Sequence, residues 1–233
     1  LWKIRNTLGE FSRDYKILVH DDASTDDTQV VLERYQRVLP LTLLSSQDRI
    51  GYGRSVEKLL RHVVKTASYP KRDCAVILQG DFTENPDDVI SLVKILEGGA
   101  DIVAGVTDMN GHQMPLGVKI VRSLLRWPLS TVFRGAPVSD PLNGLRAYRV
   151  IVLKKALRDG PEDEPLVRTE GWAANAELLS RLVPHARRIA EVPAEVRHDL
   201  RQRGSHFRPL STLMALMRLR GRDLWPNSSA QGV

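Results

Sequence analysis

Short apolar runs alternate with longer segments of helical period through the first half of the chain. Residues 15–20, Leu41-Thr42-Leu43-Leu44, Cys74-Ala75-Val76-Ile77-Leu78 and 101–106 read as strands. Brief apolar runs bounded by polar turns are the mark of strands in a buried sheet. Between them lie segments of helical spacing. Leu1, Trp2, Ile4 and Leu8 make one face, and Val30, Val31, Leu32, Tyr35 and Val38 a second. Residues 54–66 and 86–97 form two more helices. Pro86 near a first helical position, followed by acids, marks the start of the last. Ser24 or Thr25 is expected to cap the second. Strands alternating with helices predict an α/β fold: a Rossmann-like, doubly wound, mostly parallel sheet with helices on both faces.

The alternation stops after Val106. Residues 107–115 read as a polar loop and 116–134 as a basic amphipathic helix kinked at Pro128. A short strand at 146–150, helices at 151–157 and 173–182, and a last strand at 189–192 follow. Residues 159–165 form an acidic loop, 196–209 a basic loop and 210–219 a final amphipathic helix. Residues 226–233 are expected to be a disordered tail. The chain reads as starting inside a helix, so a single domain over 1–225 without its N-terminal strand is expected.

Composition narrows the partners. The chain has 233 residues, 42% hydrophobic and 27% charged, with a net charge of +6 and a pI of about 9.6. That charge favours anionic partners such as nucleotides, phosphorylated lipids or an anionic membrane. The single cysteine, Cys74, excludes an internal disulfide and a cysteine-based zinc site. No apolar run reaches the roughly eighteen residues that a membrane-crossing helix needs. No aromatic is interleaved with the basic residues in a stacking pattern, so nucleic acid is not an expected partner.

Four constellations carry candidate chemistry. Asp21-Asp22-Ala23-Ser24 follows a strand and precedes a helix, where a carboxylate can accept from a base or a ribose hydroxyl. A cap and solvated acids would explain an Asp–Ser pair, but two adjacent acids exceed what capping needs. Gln79-Gly80-Asp81 also follows a strand, at the sheet edge where open α/β folds bind ligands. Gly80 permits close backbone approach, and Asp81 can ligate Mg²⁺ or Mn²⁺ on a diphosphate. Ser139-Asp140-Pro141-Leu142-Asn143-Gly144 is a turn in which Asp140 is a candidate base. Residues 198–208 gather arginines around Gly204-Ser205, an arrangement suited to an anion.

In this order the motifs resemble those of a family 2 glycosyltransferase with the GT-A fold, near the dolichol- or polyprenyl-phosphate sugar synthase branch. The likeness rests on the Asp-Asp-x-Ser-x-Asp-x-Thr run at 21–28, the Ile50-Gly51-Tyr52-Gly53 turn and Gln79-Gly80-Asp81 in place of Asp-x-Asp. It continues through 139–146, Glu177-Leu178-Leu179 and Arg201-Gln202-Arg203-Gly204. It implies a nucleotide-sugar site, for a UDP- or GDP-linked donor, made from His20, Asp22, Ser24, Gly51, Gln79, Gly80, Asp81 and Arg201. It also implies a Mg²⁺ or Mn²⁺ ion on Asp81, helped by Gln79 or Thr83, and Asp140 as the catalytic residue of an inverting transfer. A polyprenyl phosphate acceptor would place the protein in the cytoplasm, peripheral on the membrane face, with 116–134 at the interface. Gln79 departs from the family's first acid, which removes a charge from the metal site. The alternative is a domain that binds a nucleotide sugar without transferring it.

Overall fold

Strand β4 (Ile102–Thr107) explains the centre of the molecule, because both of its faces are covered. Ile102 and Ala104 join one apolar cluster, with α3, α5 and α6. Val103 joins another, with α4. A strand buried on both faces reads as a continuous apolar run rather than an alternating one. The computed structural model describes residues 1–81, 83–107, 134–159, 164–194, 214 and 224–225. In chain order the elements are α1 (Trp2–Glu10), β1 (Ile17–Asp22), α2 (Thr28–Gln36), β2 (Leu41–Ser46), α3 (Tyr52–Thr66), β3 (Cys74–Ile77) and α4 (Asp88–Glu97). There follow β4, β5 (Arg146–Arg149), α5 (Val150–Asp159), α6 (Trp172–Leu182) and β6 (Ile189–Ala194).

The described strands form two sheets. β1 and β2 pair in parallel, with Asp22 opposite Ser46. The other sheet has the order β3-β5-β4-β6. β4 and β6 are parallel, while β5 runs antiparallel to both β3 and β4. The expected mostly parallel sheet therefore has one reversed strand. β3, whose end carries Asp81, lies at the edge of its described sheet rather than in its middle. Helix α4 lays Val89, Leu92 and Leu96 on one face of the four-stranded sheet, at the spacing that keeps a helical stripe in line. On the opposite face, α3, α5 and α6 contribute Val56, Leu60, Leu153, Leu178, Leu179 and Leu182.

The second helix departs from its expected face. Leu32 is buried, but Val30, Val31 and Val38 are 49%, 43% and 57% exposed. The sheet beneath is only two strands wide, so α2 has room to bury a single stripe. Its cap also differs: the N-cap is Asp27 rather than Ser24 or Thr25, and it makes no side-chain cap hydrogen bond. Asp26, one residue earlier, accepts the backbone N–H of Thr28 at 3.1 Å and its hydroxyl at 2.5 Å. An Asp accepting from the residue two positions on is a common Asx turn. The expected elements at 116–133 and 210–219, the basic loop with Arg201 and the tail lie outside the described residues, apart from Met214. No helix among the described residues is long and apolar enough to cross a membrane.

Candidate functional site

The acids at the end of β1 hold the glycine turn that starts α3. The Asp22 carboxylate accepts the N–H of Ile50 at 2.7 Å and of Gly51 at 2.9 Å. Gly51 has φ of +86°, a conformation that favours glycine. A second carboxylate closes on the same turn. Glu170 accepts the N–H of Gly53 at 3.2 Å, and its oxygens lie 2.6 and 2.7 Å from where a Cβ on Gly51 would stand. Two negative charges at a helix N-terminus suit its dipole. Burial pushes the Glu170 carboxyl up; the N–H groups of Gly53 and Tyr52 oppose this, and the nearby charge of Asp22 adds to it.

Glu170 sits on a segment that buried acids fix in place. Glu177 on α6 accepts the N–H groups of Arg168 and Thr169 and the Thr169 hydroxyl, each at 2.8 Å. Glu57 on α3 accepts the N–H of Val167 at 3.1 Å. The His20 ring makes a 2.9 Å hydrogen bond with the Ser46 hydroxyl. Lys58 donates to that hydroxyl at 3.0 Å and to the Ser45 carbonyl at 2.8 Å. Burial lowers the His20 pKa, and the Lys58 charge lowers it further. The imidazole is thus engaged between the β1–β2 sheet and α3. Ser24 is exposed just beyond Asp22.

The turn after β3 is closed from both sides. Asp81 accepts the Thr83 N–H at 3.1 Å and the Thr83 hydroxyl at 2.5 Å. Glu84, 6% exposed, accepts the N–H of Gln79 at 2.7 Å. Burial pushes the Glu84 carboxyl up to about 7; the Gln79 N–H opposes the rise, and the Asp81 charge adds to it. At the apex Gly80 is exposed, and among the described residues a Cβ there would meet nothing within 4 Å. Gly80→Ala is expected to leave the urea midpoint unchanged; on the reading that a donor diphosphate lies against this turn, it weakens nucleotide-sugar affinity at least about tenfold by calorimetry.

The donor set suits a hard cation only in part. Among the described residues no three His, Cys, Asp or Glu side chains gather to hold a metal. Mg²⁺ commonly takes one or two carboxylates and completes its shell with substrate phosphates and water. Asp81 fits that role. Thr83 is buried with its hydroxyl committed to Asp81, so that expected helper is engaged within the turn.

The third loop is anchored at each end. Glu191 on β6 accepts the N–H of Ser139 at 2.5 Å and its hydroxyl at 2.8 Å. Asp140 accepts the N–H of Leu142 at 3.1 Å. Below the loop, Arg146 is 1% exposed and donates to the carbonyls of Pro141 and Asn175, each at 2.6 Å. Tyr52 donates to Asn175 at 2.9 Å, and Asn175 donates to the Leu142 carbonyl at 3.0 Å. This polar floor links α3, α6 and the 139–145 loop.

Asp22 and Gly51 are thus in direct contact, and Gln79, Gly80 and Asp81 form one turn beside Gly144. Arg201 lies outside the described residues. Sequence reasoning missed Glu84, Glu170, Tyr52 and Asn175. Glu84 and Glu170 each stand just ahead of a helix, where acids read as capping residues, and Tyr52 was hidden in a glycine turn.

Residues 1–157 match the pattern of Glycosyl transferase family 2. The chain belongs to that family. Solved structures share the GT-A fold of this family 2 chain at low identity. S. aureus TarS 1-349 matches with a TM-score of 0.52 and 17% identity over 83% of this chain and 55% of that one. The same protein in complex with UDP matches with a TM-score of 0.53 and 17% identity over 94% and 60%. The mannosyltransferase PcManGT from Pyrobaculum calidifontis, in complex with GDP-Man and Mn²⁺, matches with a TM-score of 0.50 and 18% identity over 98% and 70%. The family 2 chain thus spans about half the length of TarS 1-349.

Proposed function

We propose that the chain is the catalytic domain of a glycosyltransferase that moves a sugar from a UDP- or GDP-linked donor, with inversion, onto an acceptor of the polyprenyl phosphate class. One observation carries the reading. Two strand-end segments, Asp22 with the 50–53 turn and Gly80-Asp81, are held by carboxylate hydrogen bonds, and no described residue crowds the exposed Gly80. Membership of family 2 supports it. In the complexes named above, TarS binds UDP and PcManGT binds GDP-Man with Mn²⁺.

Asp22 and the backbone of His20 hold the nucleoside, with Ser24 and Gly51 beside them. Gly80 lets the diphosphate approach the turn, Asp81 would hold a Mg²⁺ or Mn²⁺ ion, and Arg201 would clamp a phosphate. When bound, the metal would supply charge neutralisation on the diphosphate. The acceptor oxygen attacks the anomeric carbon from the face opposite the departing nucleoside diphosphate. The bond to the diphosphate breaks, and its electron pair leaves with the nucleotide. Asp140 takes the proton of a protonated acceptor. Residues 116–134 would lie against a membrane interface on the cytoplasmic side.

A second reading, a domain that binds the nucleotide sugar without transferring it, is favoured by the Gln79 amide lying beside Gly144 where the family carries an acid. Release of nucleoside diphosphate from UDP- and GDP-sugars by the full-length protein, with Mn²⁺ and polyprenyl phosphate, separates the two. Multiple turnovers that Asp140→Asn slows at least about a hundredfold support transfer. Tight donor binding with no product supports the binding domain.

A further inference from the structure

We propose that Glu170 is a positioning residue of the donor site: it caps helix α3 from outside the β1–β2 sheet and so holds the 50–53 turn where Asp22 meets it. The role in donor binding rests on the nucleotide-sugar reading above; the cap itself does not. The first N–H groups of a helix have no partner within it. Gly51, the N-cap of α3, has no side chain to offer them. Two carboxylates from other elements take its place. Asp22, at the end of β1, accepts the N–H groups of Ile50 and Gly51 at 2.7 and 2.9 Å. Glu170, just ahead of α6, accepts the N–H of Gly53 at 3.2 Å. The two carboxylates take different N–H groups, and between them they fix both ends of the turn.

Glu170 can act in this way because its own backbone is pinned. Glu177 on α6 takes the N–H groups of Arg168 and Thr169, and Glu57 on α3 takes that of Val167. These two acids are 1% and 5% exposed. The Thr169 carbonyl stands where a side chain on Gly53 would have to go, so the 167–170 strap and the start of α3 are packed together. Glu57 meets the strap one helical turn further along α3, and Glu170 is its hydrogen bond to the turn itself. Asp22 and the turn orient each other. A turn freed at its Gly53 end therefore also frees the Asp22 carboxylate that the nucleoside would meet.

Glu170→Ala, Glu170→Asp and Glu170→Gln, each in the full-length protein, test the role. Affinity for UDP- and GDP-sugars in Mn²⁺ is read by calorimetry, with kcat, KM and amide exchange by NMR. Alanine removes the acceptor, and aspartate, one methylene shorter, keeps the charge without the reach. Both are expected to weaken donor binding and raise KM at least about tenfold while kcat moves less than about threefold, the pattern of lost binding rather than lost chemistry. Glutamine keeps an acceptor oxygen and should recover affinity to within about threefold of the wild type. Exchange at Ile50 and Gly51, whose N–H groups are held by Asp22 and not by Glu170, should quicken at least about fivefold in the alanine and aspartate variants. An alanine variant that binds donor as the wild type does, or a glutamine variant as impaired as alanine, would overturn the positioning role. Should alanine unfold the protein, the contrast of aspartate with glutamine carries the same test. If the wild type binds no nucleotide sugar, the donor reading falls by itself. Amide exchange then decides the cap: quickened exchange at Ile50 and Gly51 upholds it, and unchanged exchange there rejects it.

Discussion

Asp81→Asn is expected to reduce sugar transfer at least about a hundredfold, the scale on which removal of one group that stabilises transition-state charge is felt. Asparagine keeps an oxygen that can accept from the Thr83 N–H and hydroxyl, bonds that Asp81 makes at 3.1 and 2.5 Å. The turn should therefore hold, and thermal unfolding should shift little. What is lost is the negative charge beside Gly80, so the kinetic loss reports the charge and not the shape. Asp81→Ala removes both, and should add about 1 kcal/mol of destabilisation from the lost turn bonds. Steady-state turnover at several Mn²⁺ concentrations checks the point. Turnover unchanged in both variants would remove Asp81 from the chemistry.

Arg146→Met is expected to destabilise the fold by ~2–6 kcal/mol, the cost of leaving two buried carbonyls without their donors. Arg146 is 1% exposed, and its two terminal nitrogens each hold a backbone carbonyl at 2.6 Å. Methionine matches much of the volume, so packing changes little. The carbonyls of Pro141 and Asn175 lose their donors, each at a cost of about 1–3 kcal/mol. The Arg146 charge that favours the ionised form of Glu84 is lost as well. A urea titration should show a lower midpoint at an unchanged slope, since the surface exposed on unfolding stays the same.

Much of the architecture was legible in the sequence because burial imposes a period. The runs at 41–44, 74–78 and 101–106 are strands β2, β3 and β4, and the α4 stripe of Val89, Leu92 and Leu96 is visible as spacing alone. The reversal of β5 was not legible. Arg146 and Arg149 flank it, and strand direction depends on how a connection returns, not on side-chain pattern. The α2 face failed for a related reason. Val30, Val31 and Val38 have helical spacing, yet how many of them are covered depends on the width of the sheet below.

The candidate site drew notice in the sequence where acids exceed what capping needs. Asp21-Asp22 and Gln79-Gly80-Asp81 stood out in that way. The residues that make the site rigid did not, because their partners are distant in the chain. Glu170 meets the 50–53 turn across 117 positions, and Tyr52 meets Asn175 across 123. Glu57 on α3 is buried and holds the Val167 N–H. Such links belong to tertiary structure and leave no trace in local spacing.

The location of the donor site is tested most directly by hydrogen exchange of the full-length protein with and without saturating UDP- and GDP-sugars in Mn²⁺. Slowed exchange concentrated at 20–24, 49–54 and 78–85, for at least one of the donors, is the predicted result. No protection in any of these segments at saturation, or protection confined to α1 and α2, would contradict the account.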